Sequence, residues 1–169
     1  MKDSPFLSVG KVNPRAASAK RPPRLSAVAP VTPVSILIVD GNDHERDYYA
    51  QRLKIGSPDY LVFEAASGKA ALDLCQSRTF DCVVLELDLP DMSGFEVLVK
   101  LVPIAHRPQV AVIVLTRLMH QSVLQVSLRV GAHTAMSKTH ASGDLLDLAI
   151  LKAISKVPQR KEGEQTLTG

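Results

Sequence analysis

The residues of this chain that could do chemistry are polar groups at the ends of short apolar runs. Glu86 is the clearest of them, because it follows the apolar run 82–85 and comes just before the Leu89-Pro90 stop. A carboxylate at that position lies at the C-terminal edge of a parallel sheet, where open α/β sheets bind and act on their ligands. The residues in equivalent positions after other apolar runs are Asp40, Thr116 and Lys138.

The hydrophobic pattern predicts the elements that position these residues. The predicted strands are 35–40, 60–65, 80–87, 109–115 and 134–137, and the predicted helices are about 44–54, 67–75, 93–101, 120–130 and 142–156. Short, fully apolar strands are typical of parallel sheets that are buried on both faces. The alternation predicts an α/β fold, a (βα)5 doubly wound parallel sheet of five strands. Because the C-terminal ends of parallel strands share one edge, the four polar residues are expected to converge there.

Composition predicts one domain, residues 35–157, between two tails. The chain has 169 residues, of which 46% are hydrophobic and only 4% aromatic, so the predicted core is aliphatic. Residues 1–34 hold six of the eleven prolines and six Lys or Arg against one acid. This segment lacks a periodic apolar face, which predicts a disordered basic arm, and residues 158–169 are predicted to be a flexible tail. The arm is a solvated linker, a docking arm for nucleic acid, an anionic membrane or an acidic partner, or a cleaved targeting sequence.

The sequence favours a cytoplasmic protein. No apolar run approaches the roughly 20 residues that a membrane span needs. Cys75 and Cys82 have no metal-type spacing and are predicted to be reduced, buried thiols. No Gly-rich phosphate loop, Ser-His-acid set or metal-ligand cluster indicates an enzyme.

An ordered series of motifs resembles the receiver domain of bacterial two-component response regulators. The matching stretches are ILIVD at 36–40, EAASGKAAL at 64–72, DCVVL at 81–85, LPDMSGFEVL at 89–98, VIVLT at 112–116, RVGA at 129–132, and Lys138. The likeness extends from residue 35 to about 157. It implies a flavodoxin-like sheet in the order 2-1-3-4-5 and a role in two-component signal transduction, with a histidine kinase or a regulator as the partner.

The resemblance also implies a phosphoryl-transfer site, from which this chain departs. In the family, two acids after strand 1 hold Mg²⁺ and an Asp at the end of strand 3 accepts a phosphoryl group, whose oxygens are bound by a Thr or Ser after strand 4 and a Lys after strand 5. Here the acceptor position, four residues before Pro90, is Glu86. Its extra methylene moves the carboxylate about 1.5 Å further into the pocket, and a nucleophile misplaced by ~1 Å can lose on the order of 10²-fold in rate. Three other positions depart from the family pattern. Gly41 replaces the second acid, Ala135 replaces the aromatic switch residue three positions before the Lys, and Thr139 replaces the Pro that normally follows the Lys.

These departures predict an atypical receiver, or pseudo-receiver, that acts as a phosphorylation-independent protein-interaction module and not as an enzyme. Lys138 is expected to pair with Glu86 and Asp40, which offsets the cost of partly buried charges. No cofactor is predicted, and weak Mg²⁺ binding at Asp40 and Glu86 is the alternative. The alternative function is an active, Mg-dependent phospho-switch whose acceptor is Glu86 or Asp88, although Asp88 is predicted to be a loop residue beyond the acceptor.

Extra apolar stripes on the last two predicted helices indicate a face for a partner or a homodimer. The predicted partner face comprises Val123, Val126, Val130, Leu148 and Leu151. The residues assigned instead to the core are Leu124, Leu128, Gly131, Leu145, Leu146, Ala149, Ile150, Ala153 and Ile154. Both helices flank strand 5, so the leftover stripes predict one exposed patch on that edge. A broader core, or burial under the basic arm, is the alternative.

Overall fold

A computed structural model describes residues 33–102, 109–118 and 120–158 of the chain. The predicted arm, apart from its last two residues, and the predicted tail beyond Pro158 lie outside these ranges. Disorder of the arm, and its docking to nucleic acid or membrane, therefore stay predictions.

Five parallel strands alternate with five helices along the described chain. The strands are β1 (Val34–Val39), β2 (Tyr60–Ala65), β3 (Cys82–Leu85), β4 (Ala111–Thr116) and β5 (Thr134–Ser137). The helices are α1 (Asp43–Gly56), α2 (Gly68–Ser77), α3 (Gly94–Leu101), α4 (Gln121–Val130) and α5 (Gly143–Ile154). The sheet has the order β2-β1-β3-β4-β5 and every pair is parallel. The predicted doubly wound architecture and strand order are confirmed.

Local side-chain hydrogen bonds explain where most helices begin. An Asn or Ser side chain accepts a hydrogen bond from the first turn of four helices, at 3.1–3.2 Å, which satisfies an amide that has no partner within the helix. These N-cap residues are Asn42, Ser67, Ser93 and Ser142. Gly131 ends α4 with φ of 123°, a conformation that favours glycine.

Strand β3 is shorter than the predicted 80–87, and at its C-terminal end the chain leaves the ladder after Glu86, whose amide still donates to the carbonyl of Val39 at 2.9 Å. The Oε1 of Glu86 accepts hydrogen bonds from the backbone amides of Leu87, at 2.7 Å, and Asp88, at 3.2 Å. These bonds hold the segment in a turn that cannot continue a strand. Glu86 therefore lies just past the strand, at the edge of the sheet.

The sheet separates two layers of buried aliphatic side chains. One layer packs against α2, α3 and α4, and the other packs against α1 and α5. No helix among the described residues is long and apolar enough to cross a membrane.

The predicted facing of α4 is wrong at three positions, whereas Gly131 is buried and Val126 is exposed as predicted. Val123 and Val130 pack against the core, whereas Leu128 is 48% exposed. The reason is Ser127, a buried residue between those valines at i, i+4, i+7 spacing, whose Oγ donates to the carbonyl of Val123 at 2.8 Å. A polar residue thus lies on the buried stripe of α4. A prediction from apolar residues alone therefore assigns the stripe of Leu124 and Leu128 to the core instead.

The α5 assignments hold except at one position. Leu146, Ile150 and Ala153 are buried as predicted, but Leu145 is exposed. Of the predicted partner face, Val126, Leu148 and Leu151 are exposed.

Candidate functional site

The four predicted polar residues meet at the C-terminal edge of the sheet. Asp40 follows β1, Glu86 follows β3, Thr116 ends β4 and Lys138 follows β5. Asp40, Glu86 and Thr116 are buried. Parallel topology alone brings these four chain segments together.

Lys138 lies at the centre of this edge and is bonded to three carboxylates. Its Nζ is 2.5 Å from Oδ2 of Asp40 and 2.7 Å from Oε2 of Glu86, so the structure brings together the pairs expected from the sequence. It is also 2.8 Å from Oε2 of Glu45, on the first turn of α1. The Lys138 side chain is only 4% exposed. We call Lys138 with these three carboxylates the acidic pocket.

The charges of the acidic pocket stabilise one another. Burial lowers the pKa of Lys138, but hydrogen bonds to the three carboxylates outweigh burial and raise that pKa above its ordinary value. Burial likewise raises the pKa of Glu45, but hydrogen bonds from Arg117 and Lys138 outweigh it and lower that pKa. Both groups therefore keep their charge at neutral pH.

Both carboxylate oxygens of Glu86 have hydrogen-bond donors. Oε1 accepts from the amides of Leu87 and Asp88. Oε2 accepts from Lys138 Nζ and from the amide of Arg117, at 3.3 Å. The carboxylate is thus held by four donors from three segments of the chain.

Of the other predicted site residues, Asp88 reaches the Glu86 carboxylate through its backbone amide, whereas Thr116 and Ala135 have other partners. The Oγ1 of Thr116 accepts a hydrogen bond from the amide of Leu118, at 3.1 Å, within its own loop. Asp88 is an exposed loop residue. Ala135, at the predicted switch position, packs against the core layer of α2, α3 and α4.

Gly41, at the position of the predicted missing acid, lies under the ring of Pro90. A Cβ atom at residue 41 would be 2.8 Å from Cδ of Pro90, closer than real Cβ contacts. An Asp at this position would therefore displace the loop that follows Glu86.

Glu45 and Arg117 are site residues that the sequence reasoning missed. Arg117 forms an ion pair with Oε1 of Glu45, so the loop after β4 is linked to α1 across the pocket. The available signal was weak. Glu45 is three residues after the N-cap residue Asn42. The Oδ1 of Asn42 accepts a hydrogen bond from the amide of Glu45 and so places Glu45 beside the end of β1.

The carboxylates of the acidic pocket could supply oxygen ligands to a hard cation such as Mg²⁺. One oxygen from each of Asp40, Glu45 and Glu86 lies within 4.8 Å of the others. The ammonium of Lys138, however, is bonded to all three residues. In this structure the three carboxylates thus already share one cation, the ammonium of Lys138.

Comparison with known proteins agrees with this geometry. Residues 36–150 match the response regulator receiver domain family. The chain is 30% identical over 116 residues to sporulation initiation phosphotransferase F of Bacillus subtilis, covering 66% of this chain and 87% of that protein. It is 32% identical over 98 residues to a probable cyclic di-GMP phosphodiesterase of Vibrio cholerae, covering 58% of this chain but only 22% of that protein.

A solved structure shows the same fold. The CheY-like response regulator receiver domain protein of Methanospirillum hungatei superimposes with a TM-score of 0.65 at 27% identity, covering 72% of this chain and 94% of that one. Sequence motifs, strand order and strand-end residues all point to one family. The chain belongs to the response regulator receiver domain family.

Proposed function

We propose that this receiver takes part in signal transduction without being phosphorylated, as a protein-interaction module whose acidic pocket stays in one state. The observation that carries the proposal is the ammonium of Lys138, which is buried and bonded to Asp40, Glu45 and Glu86. The three carboxylates and the ammonium they share already supply one another with hydrogen-bond partners and opposite charge.

All the hydrogen-bond donors named beside Glu86 are already in use, which supports the proposal. A phosphoryl group carries about −1.5 to −2 charges and three acceptor oxygens, so a site that accepts it needs free donors and a cation. The donors beside the acceptor position are Lys138 and the amides of Leu87, Asp88 and Arg117, and all of them bind the Glu86 carboxylate. Glu86 thus acts as a fixed charge that occupies the place of the incoming group.

The same contacts argue against a resident metal ion. The Lys138 ammonium neutralises the carboxylates that a divalent cation would neutralise, and the Pro90 ring covers the Gly41 position. We propose that the chain works without Mg²⁺ and without catalytic turnover. The cytoplasmic location expected from the sequence stays a prediction.

A module of this kind acts through its surface, and we propose a protein partner for the exposed apolar side chains on α4 and α5. Val126 on α4 and Leu148 and Leu151 on α5 support this, because each is a large apolar side chain that is exposed to solvent, and contiguous exposed apolar surface marks interaction sites. A histidine kinase or another regulator is the class of partner that family membership suggests.

A titration with Mg²⁺ and beryllofluoride, a phosphoryl analogue, tests whether the acidic pocket stays in one state. We expect the amide resonances of residues 86–88, 116–117 and 138 in ¹⁵N-labelled full-length chain to stay unchanged in two-dimensional NMR spectra. A receiver with Asp at the acceptor position, titrated in parallel, is the positive control. Saturable chemical-shift changes at these amides that require both Mg²⁺ and beryllofluoride would contradict the proposal.

Labelling with a radioactive acyl phosphate tests the alternative phospho-switch directly. We expect no acid-stable label on the chain. Label that disappears in Glu86→Ala or Asp88→Ala, but persists in the control Glu96→Ala on the exposed surface of α3, would establish the switch instead.

A further inference from the structure

A cavity of about 500 Å³ lies at the N-terminal edge of the sheet. Its lining residues include Phe80 and Val110, which come just before β3 and β4, and residues in the last turns of α2 and α3. The cavity is therefore at the opposite end of the sheet from the acidic pocket. Cavities of this size are typical of sites that bind small molecules. We call it the edge cavity.

The inner wall of the edge cavity is apolar. Phe80 is buried, while Leu72, Leu101 and Val110 are partly buried and pack against the same core layer. The ring of Phe80 lies edge-to-face against Phe63, with 5.5 Å between the ring centroids. An apolar group that entered the cavity would leave water for a wall of aliphatic and aromatic side chains, which favours binding.

The mouth of the edge cavity is positively charged. Its charged lining residues are Arg78, the C-cap of α2, and Lys100, in the last turn of α3, and both are exposed. No Asp or Glu of the described residues lines the cavity, and neither cation forms an ion pair with a described carboxylate. The Cζ of Arg78 is 4.2 Å from the centroid of the Phe63 ring, a contact that holds the guanidinium beside the cavity.

The ends of the two helices cancel only part of this charge. The C-terminal ends of α2 and α3 each carry roughly half a negative charge, against the full positive charges of Arg78 and Lys100, so about one positive charge remains. One bound carboxylate would balance it. Residues 1–34, with six Lys or Arg against one acid, would instead add to the positive charge and are a poor occupant of the cavity.

We propose that the edge cavity binds a small apolar monocarboxylate. Its apolar body packs on the wall of Leu72, Phe80 and Val110, and its carboxylate pairs with Arg78 and Lys100. A carboxylate suits this mouth because the planar guanidinium presents parallel N–H donors that match its two oxygens. Binding here is independent of the state of the acidic pocket, so the function proposed above is not presupposed.

A titration with 2-naphthoate, followed by two-dimensional NMR of the ¹⁵N-labelled full-length chain, tests the site. A ligand of this size is expected to bind with a dissociation constant of about 1 mM or below. We expect saturable chemical-shift changes at the amides of residues 72–80 and 100–101. No saturable change up to about 10 mM, or changes confined to residues outside the cavity, overturns the proposal.

The uncharged 2-naphthamide tests the role of the two cations, because it has the same ring system but cannot form an ion pair. It is expected to bind about tenfold more weakly than 2-naphthoate, as the loss of two exposed ion pairs allows. Lys100→Met is expected to weaken 2-naphthoate about threefold or more and to leave 2-naphthamide within about twofold. Equal affinity of the acid and the amide contradicts the binding of an anion.

The matched control is Lys152→Met, on the exposed surface of α5 in the other layer of the fold. It removes the same charge from the chain but none from the cavity, so the affinity for 2-naphthoate is expected to stay unchanged. If Lys152→Met weakens 2-naphthoate as much as Lys100→Met does, the effect comes from the net charge of the chain and the proposed site is wrong.

Cys75 gives a second readout, because its half-buried thiol lines the edge cavity whereas Cys82 is buried in the core. Burial raises the pKa of Cys75, so alkylation by N-ethylmaleimide is expected to be slow enough to follow. At ten times its dissociation constant, 2-naphthoate is expected to slow this reaction about tenfold, and Cys75→Ser is expected to remove the reaction.

An unchanged alkylation rate at a concentration that saturates the NMR signal would place the ligand outside the cavity and overturn the proposal. A beryllofluoride response would contradict the function proposed above and leave this site standing.

Discussion

At the scale of single residues, Lys138 decides what the acidic pocket can do. Its Nζ is bonded to carboxylates that arrive from the ends of β1 and β3 and from α1. Among the described residues, every buried polar side-chain atom has a hydrogen-bond partner. We therefore expect the pocket to gain little free energy from an incoming anion or cation, because either would first have to break hydrogen bonds that already exist.

Removing that cation is expected to destabilise the fold strongly. Lys138→Met keeps most of the side-chain volume but leaves Asp40 and Glu86 as buried carboxylates without their counter-charge. Breaking a buried ion pair in this way costs about 3–5 kcal/mol, which urea denaturation measures as a lower midpoint at unchanged slope. Lys100→Met on the exposed surface of α3 is the control and is expected to stay within about 0.5 kcal/mol. Equal stability of the two variants would contradict the central role of Lys138.

At the scale of elements, the loop after β3 is positioned by the start of α3. The amide of Gly94 donates to the carbonyl of Leu87 at 2.8 Å, and Asp91 accepts hydrogen bonds from the amides of Gly68 and Lys69, both at 2.8 Å. The loop that carries Glu86 is therefore tied to the first turns of both α2 and α3.

A methyl group at Gly94 is expected to disturb this loop. The Cβ of Gly94→Ala would be 2.6 Å from Cα of Leu87, so backbone has to move. Overpacking of this kind costs about 1–3 kcal/mol, and we expect amide shifts at 86–88 in NMR spectra together with a lower urea midpoint. The matched control is Gly56→Ala at the end of α1, where nothing lies within 4 Å of the added Cβ. That variant is expected to be stabilised by about 0.4–1 kcal/mol, and a loss as large as that of Gly94→Ala would refute the steric argument.

The elements could be predicted because each has a local cause. Strands buried on both faces are continuous apolar runs, and four helices begin at an Asn or Ser that caps them. The strand-end residues of the pocket could be predicted as well, since parallel topology alone brings them together. Glu45 and Arg117 could not, because they reach the pocket from a helix turn and a loop through long side chains. The facing of α4 could not either, because its buried stripe contains Ser127.

At the scale of the whole molecule, the junction of β4 and β5 makes stability depend on pH. The Nδ1 of His133 accepts a hydrogen bond from the amide of Val112 at 3.2 Å, and the amide of His133 donates to the carbonyl of Val112 at 2.7 Å. β5 is an edge strand, paired only with β4 in the described sheet. The two hydrogen bonds between His133 and Val112 therefore hold the start of β5. Burial, and then the positive charge of Lys156, lower the pKa of His133.

This contact predicts a loss of stability on mild acidification. A lowered pKa in the folded chain means that folding favours the neutral imidazole, so the contribution is complete above the unfolded value of about 6.5. It is lost as the pH falls through that value towards the folded pKa, because protonated Nδ1 cannot accept from Val112. We expect the melting temperature to fall between pH 7.5 and pH 5.5, a window above the lowered pKa of Glu45.

His133→Asn separates this contact from other acid effects. The Asn side-chain oxygen can accept from the Val112 amide and does not titrate, so the variant is expected to show a flatter profile of melting temperature against pH. His140→Gln, at an exposed histidine, is the control and should keep the profile of the unsubstituted chain. If His133→Asn loses stability in acid as steeply as the control does, the pH dependence arises elsewhere in the molecule.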